Sequence, residues 1–569
     1  MIAPGLSDSV PSRRPRLRAL REAALVMLAG AMLTTALTYP LVFRIDRIGR
    51  VNTDDGRWSI WVVSWVAHAL TTNPFRVFDA NIFYPHKSAL AFSEANIAAG
   101  AIGAPVWVVS ANPYLTHNVV VVVAFVVSYA GAYYLVRYFT GSQGAALVGG
   151  VLFAFCPFIF ARTAHIQLLL TGGLPFCMLA FHRMVDRATV ARAVALGLLI
   201  VVQSLACAYY GVFAILMVAL GTLVYAMTRG LWRSRDYWLA IGLAAFVSIA
   251  FTLPFFIPYV RVQQEMGFAR TLDDTRQYSV NLGAWLASSA WAHRWWLPAL
   301  GEFNEVLFPG MLTLTLGLAG TWQVLRKRGQ SPFFQGMRTL PRDTAVLYLL
   351  IGIISVWLSF GPDAGLYWLL YKTIPVFTFM RAPGRIGILV VLALVVLGSP
   401  VLASLLARAR RPLIAAVVVA VVAAAELAAV PLNQLRDREP LSPVYRVLAT
   451  LPYGAVIELP YWYERSDFPR HAYYMLNSTA HWMPLVNGYS DHIPQDFRNT
   501  VIPLSSFPSR ESFGILGRIG ARYVVFHLNM YNARLRERLL ERLTNYSNYL
   551  RPIVREGDVW LYEIVDWPN

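Results

Sequence analysis

Eleven stretches of this 569-residue chain are apolar enough to cross a membrane as helices, and nothing else constrains its folding as much. Hydrocarbon offers no water to backbone N–H and C=O groups, so a crossing segment must satisfy its own, as a helix of about twenty residues. The runs are 23–42, 116–136, 145–161, 166–182, 193–208, 210–228, 237–257, 307–325, 344–360, 386–407 and 412–430. Composition agrees, with 57% of residues apolar and only 14% charged, against roughly 25% charged in a soluble domain. Arg13, Arg14, Arg16, Arg18 and Arg21 precede the first run, which lacks a small-residue cleavage site and so reads as an uncleaved signal anchor.

The formal charge of +18 would suit a nucleic-acid partner if it were gathered on one surface. Instead the cations lie between apolar runs and alternate along the chain. Segments 1–22, 137–144, 183–192, 229–236, 326–343 and 408–411 together hold 20 Lys and Arg against five acids. Cationic flanks stay on the cytoplasmic side, so these segments are expected inside, with the N-terminus. An odd number of spans then puts the C-terminus outside. The charge is a topology signal, and no nucleic-acid partner is expected. Cys156, Cys177 and Cys207 fall in apolar stretches without disulfide or zinc spacing. No Walker loop, His-Glu-x-x-His or Gly-x-Ser-x-Gly is present.

The fold class expected is an α-helical polytopic membrane protein of about eleven spans with a small C-terminal α/β domain outside. Its parts would be a basic cytoplasmic N-terminus at 1–22, a membrane domain at 23–430 with a long first outer loop at 43–115, and an extracytoplasmic domain at 431–569. Within the tail, 443–451 and 533–543 read as helices, and 455–459, 522–528 and 559–565 as strands. Further outer segments are 258–306 and 361–385. Long loops on a rigid scaffold usually carry the chemistry, and the polar clusters of this chain stand in them.

Loop one opens on Thr53-Asp54-Asp55-Gly56, followed by Trp58, Trp61, Val62, Trp65, Val66, Ala69 and Leu70 at helical spacing. Three Trp on one face predict a helix lying in the membrane interface. Asp54 and Asp55 can be read as a helix cap, complementing the dipole by about 0.3–1 kcal/mol. They can also be read as a base, because adjacent carboxylates repel and one pKa rises. Lys87 could neutralise a phosphate, with Glu94 close behind it in the loop. His165 and Gln167 stand at the outer turn after the third run, where they can satisfy helix ends or bind a sugar or leaving phosphate. Arg381 and Arg385 defy the positive-inside bias and call for a local anion, a donor phosphate or bulk headgroups. Tyr209 and Tyr210 read as interfacial aromatics, Asp273 and Asp274 as a solvated pair, and Glu302 and Glu305 as weaker site candidates. Glu426, an acid inside an apolar run, is a functional position by default or the partner of an Arg in a neighbouring span.

Taken together, a cytoplasmic N-terminus, an Asp motif opening the first outer loop, a helix after it, ten or so further spans and an outer α/β tail resemble the GT-C superfamily of integral-membrane glycosyltransferases. The likeness is to bacterial members of the protein O-mannosyltransferase and aminoarabinose-transferase type. It implies a polyprenyl-phosphate-sugar donor, an envelope glycan, lipid or protein acceptor, and an inverting transfer at the outer face of the cytoplasmic membrane. It also implies that the loop-one Asp, here Asp54 or Asp55, serves as catalytic base or helps hold a metal. The usual Asp-Glu and Glu-x-Asp variants are absent, which leaves either carboxylate open as the base. Lys87, Arg381 or Arg385 would steady the departing phosphate, while Glu94, His165 and Gln167 would bind substrate. A monophosphate leaving group calls for no metal and no cofactor. The rivals are a transporter or flippase, which would carry buried charges and a two-fold repeat in its spans, a polysaccharide polymerase or ligase, and a non-catalytic scaffold in which the Asp pair only caps.

Overall fold

The computed structural model describes residues 13–267, 270–326 and 339–568, with side chains from Leu17 onward. Residues 1–12 of the basic N-terminus and most of the 326–343 loop lie outside the described residues. Among those described, seven helices are long and apolar enough to span a membrane: Leu17–Leu37, Pro113–Thr140, Gln143–Phe160, Ala208–Thr228, Arg235–Met266, Arg342–Ser359 and Pro383–Ala407. Three more of the expected runs form shorter apolar helices, Val190–Ala206, Met311–Leu325 and Pro412–Leu427. The chain is a multi-pass membrane protein.

The 166–182 run departs from expectation by breaking into Ile166–Leu169 and Gly173–Asp186. Gly172 is pressed against the neighbouring helix, where a Cβ would lie 2.7 Å from the Val127 carbonyl carbon. The Thr171 and Ser128 hydroxyls bond across the junction at 2.9 Å. Gln203 Nε2 donates to the Leu170 carbonyl at 3.0 Å and the Tyr210 hydroxyl to the Leu168 carbonyl at 3.1 Å, so side chains replace helical bonds given up there, as backbone irregularity at membrane depth requires.

The Gly387–Ala407 helix is apolar all round and buried almost throughout, the pattern of a bundle centre. Met311–Leu325 packs closely on it through Gly320 and Gly398; a Cβ at Gly398 would sit 2.8 Å from Leu316 backbone. By contrast Arg235–Met266 turns Phe246, Ile249, Phe251 and Leu253 outward, an apolar surface that lipid can cover. Among the described residues Glu426 has no arginine partner of the kind expected. Its carboxylate accepts from the Met311 and Leu312 N–H groups at the start of Met311–Leu325 and lies 3.2 Å from His293 Nε2. It is a helix cap supplied by a neighbouring helix.

Segments expected on one side share one end of the bundle. Arg50 reaches Thr163, Arg162 reaches Glu305, and Arg381 reaches Asp491. At the opposite end Tyr138 bonds Asp186, and Arg229 pairs with Asp343.

The tail forms a four-stranded sheet. Two short strands, β1 (Ile48–Gly49) and β2 (Arg436–Asp437), first pair antiparallel and tie loop one to the tail's root. The sheet itself holds β3 (Ala455–Leu459), β4 (Ala521–His527), β5 (Leu550–Glu556) and β6 (Val559–Ile564) in the order β3-β4-β6-β5, with β3 and β4 parallel and the other pairs antiparallel. β3 is buried along its whole length, Glu458 included, whose carboxylate is held by the Tyr445 hydroxyl and His527. Beyond it, residues 484–486 bond to Val456 on one side and to Asn81 and Tyr84 of loop one on the other. The tail thereby roofs loop one.

That roof corrects the interfacial reading of the tryptophan helix. The helix exists, as Asp54–Thr72, but Trp58, Trp61 and Trp65 are buried in protein. Trp65 donates to the Val77 carbonyl at 2.8 Å and meets Trp482 of the tail edge-on, with centroids 5.6 Å apart. Exposed aromatics stand instead at Trp291 and Trp295, in the Trp291–Leu300 3₁₀ segment.

Candidate active site

Asp54 and Asp55 are the first two residues of the Asp54–Thr72 helix, and neither is its cap. Thr53 has the extended backbone of an N-cap, and its Oγ1 accepts from the Gly56 N–H at 3.2 Å. Both carboxylates therefore sit where the helix dipole favours negative charge. Successive helix residues point about 100° apart, so the two side chains diverge. Asp54 accepts from Arg57 at 2.9 Å and lines a small cavity with Glu439, Trp462, Arg470 and Tyr473. Asp55 turns toward the span ends, accepting from the Tyr489 phenol at 3.0 Å and lying 3.5 Å from His165 Nε2. They are not a coupled pair facing one hollow.

Gly56 makes this placement possible. The chain at Arg50 crosses directly over the first helical turn, and a Cβ on residue 56 would lie 2.8 Å from the Arg50 carbonyl carbon and closer still to its oxygen. Tyr489 is held from the tail side. Asn487 is fully buried, with its amide accepting from Glu458 N–H at 2.7 Å and donating to Glu458 C=O at 2.8 Å. Burial and the adjacent Asp55 carboxylate both push the Tyr489 phenol upward, so it stays protonated and donates.

Around Asp55 the chain gathers arginines. Arg50 donates to Thr163 at 2.7 Å, and its Nε is buried with no partner among the described residues. Arg162 pairs with Glu305. Arg381 pairs with Asp491 at 2.7 Å and lies over the Tyr278 ring; Asp491 also holds Arg270. Arg385 lies over Tyr209, 4.4 Å from its centroid, and close to Glu94. Burial, then the fields of Arg385, Arg162, Arg50 and Arg381, push His165 down to about 3. The imidazole is neutral at physiological pH and a poor base, because burial first and then four guanidinium groups disfavour its protonated form. Glu94 accepts from the Ala208 N–H at the start of Ala208–Thr228 and from the Cys207 and Gln167 side chains. Burial raises its pKa, while Arg385 opposes the rise. Gln167 is buried, and its Oε1 lacks a partner among the described residues.

The structure thus brings together Asp55, Glu94, His165, Gln167, Arg381 and Arg385. It sets Asp54 on the other side of the helix start. Lys87 is exposed, on the turn whose His86 pairs with Asp496, and is not brought to this cluster. Tyr489, Asp491, Arg50 and Arg270 were not foreseen. Asn487-Gly488-Tyr489-Ser490-Asp491-His492 is a polar run without spacing that names a chemistry. Among the described residues no group of three or more His, Cys, Asp or Glu stands in a metal-holding arrangement.

No family model matches the chain, and no curated protein does. Solved structures do. The arabinofuranosyltransferase AftD from Mycobacteria superposes with a TM-score of 0.59 at 14% identity, over 99% of this chain and 42% of its own. The oligosaccharyltransferase AglB from Archaeoglobus fulgidus, solved with an inhibitory peptide and a dolichol-phosphate, aligns at 0.44 and 14% identity over 98% of this chain and 75% of its own. ArnT from Cupriavidus metallidurans aligns at 0.40 and 14% identity over 97% of this chain and 98% of its own.

Proposed function

We propose that this protein is a glycosyltransferase that moves a sugar from a polyprenyl-phosphate donor to an acceptor at the outer face of the cytoplasmic membrane, with Asp55 as general base. One observation carries this reading: the Asp55 carboxylate lies 3.5 Å from His165, and His165 sits in the field of Arg385, Arg162, Arg50 and Arg381. A base for the nucleophile and positive charge for a departing phosphate thus stand side by side.

In the transfer, Asp55 takes the proton of an acceptor hydroxyl or amine as that atom bonds to the anomeric carbon. The bond from the anomeric carbon to the phosphate oxygen breaks, its electron pair stays with the phosphate, and Arg381 and Arg385 stabilise the added charge. Attack opposite the leaving group inverts the anomeric centre. Tyr489 and neutral His165 orient the carboxylate, while Glu94, bonded by Gln167, holds the start of the Ala208–Thr228 helix, whose Tyr209 ring lies under Arg385. The acceptor is an envelope glycan, lipid or protein. Asp55→Asn, purified folded and offered a panel of polyprenyl-phosphate sugars, is expected to lose about 10²–10⁴-fold in turnover. Full turnover in this variant would overturn the assignment.

A further inference from the structure

We infer that the cavity beside Asp54 is a binding subsite for a neutral sugar residue of a glycan acceptor. The inference rests on the transfer reading above and narrows its acceptor. The cavity has a volume of about 280 Å³ and is lined by Asp54, Arg57, Glu439, Trp462, Arg470, Tyr473 and Met530. That is the small end of ligand pockets, about 300 Å³ upward, and suits one sugar ring.

Its lining selects a polyol over an ion. Two carboxylates face two guanidiniums, and the charges are already matched. Arg57 bonds Asp54 at 2.9 Å and lies 3.8 Å from Glu439, and Arg470 lies 3.4 Å from Asp467. A phosphate would find no uncommitted cation here, and a cationic ligand would meet Arg57 and Arg470. A sugar hydroxyl, which both donates and accepts, can use carboxylate oxygens and guanidinium N–H groups together. Each arginine also rests on an aromatic ring, Arg470 4.7 Å from the Trp462 centroid and Arg57 5.8 Å from that of Tyr473. These stiff pairs set N–H donors beside flat apolar surface, which matches the polar edge and C–H face of a pyranose or furanose ring.

Position supplies the link to transfer. Asp54 and Asp55 are neighbours in one helical turn, so a sugar held at Asp54 lies within a residue's reach of the base. The cavity wall is shared between loop one and the tail: Asp54 and Arg57 come from the helix, Glu439 from the tail's root, and Trp462, Arg470, Tyr473 and Met530 from the α/β domain. On this inference Asp54 is a positioning residue and the two acids have separate tasks.

The test is ligand-detected saturation-transfer NMR on the full chain in detergent, with methyl glycosides of common hexoses and pentoses as probes. Wild type and Asp55→Asn are expected to bind at least one glycoside alike. Glu439→Ala and Trp462→Ala are expected to bind it about tenfold more weakly. Glu439 is exposed, so its variant keeps the fold even if the tryptophan variant does not. Absence of binding by every glycoside, unchanged binding in Glu439→Ala, or displacement of the glycoside by inorganic phosphate would each overturn the subsite. The transfer reading fails separately, through full turnover in Asp55→Asn, since glycoside binding needs no turnover.

Discussion

Gly56→Ala sets two physical effects of opposite sign against each other. In an exposed helix interior alanine gains about 0.8–1 kcal/mol over glycine, so propensity alone expects a more stable protein. Here the added methyl would lie 2.8 Å from the Arg50 carbonyl carbon and 3.0 Å from Arg50 Cβ, where carbon contacts of 3.4 Å or more are ordinary. Neither side yields easily. The chain just before Arg50 is held by the pairing of β1 with β2, and Gly56 is in the first turn of a helix buried against the tail. Forcing a methyl into such packing costs about 1–3 kcal/mol, which outweighs the propensity gain. Relief requires the helix start to retreat from Arg50, carrying Asp54 and Asp55 with it, and a misplacement of about 1 Å costs on the order of 10²-fold in rate. The expected outcome is a lower unfolding midpoint by dye-monitored melting in detergent, together with turnover reduced about 100-fold. A melting point at or above wild type with full turnover would show that the crossing at Arg50 does not fix the carboxylates.

Tyr489→Phe removes one hydrogen bond to a charged group, worth about 1.5–3 kcal/mol, so turnover should fall about 10–100-fold with little change in acceptor KM; unchanged turnover would sever the tail from the chemistry. Stability should also fall on acidification. Burial holds His471 and His481 down to about 4 in the folded protein, while the unfolded chain takes up these protons near pH 6.5. The folded state therefore binds fewer protons between those values, so stability is full above about pH 6.5 and drops toward pH 4 by up to about 1.4 kcal/mol per unit for each buried histidine. Denaturant unfolding at pH 7.5 and 5.5 checks this, and equal midpoints would refute it.

Much of the membrane domain was legible because its signal is local. A run of twenty apolar residues has few other fates. The 166–182 run misled because Thr171-Gly172-Gly173 is apolar enough to pass as a span, and only the partner helix at Val127 and Ser128 shows that the junction must break. In the tail β3, β4 and β6 were legible from their apolar content. β5 was not: Leu-Arg-Pro-Ile-Val-Arg-Glu carries a proline and three charges, and is a strand because it pairs with β6 across the Gly557 turn. The tryptophan helix shows the sharper limit. Period and composition identified a helix with one apolar face, but lipid interface and protein interior ask for the same face, and only the arrival of Trp482 from over 400 residues away decides between them. Tyr489 and Asp491 escaped notice for the same reason, since their function lies in what they meet.

The same geometry settles why two adjacent acids need not compete. Were Asp54 and Asp55 to face one hollow, their repulsion would favour protonating one of them. The helix start removes the conflict by turning them apart and giving each its own partners, Arg57 for Asp54 and Tyr489 for Asp55. Those partners come from different places: Arg57 lies one turn along the same helix, whereas Tyr489 belongs to the roof. Asp491, two residues further on, joins Arg381 to Arg270. Lifting the roof would strip Asp55 of its phenol and leave two guanidiniums facing each other without the carboxylate between them. The α/β tail is therefore part of the site's electrostatics, and the membrane domain alone would hold Asp55 and the arginines without Tyr489 and Asp491, which bond them.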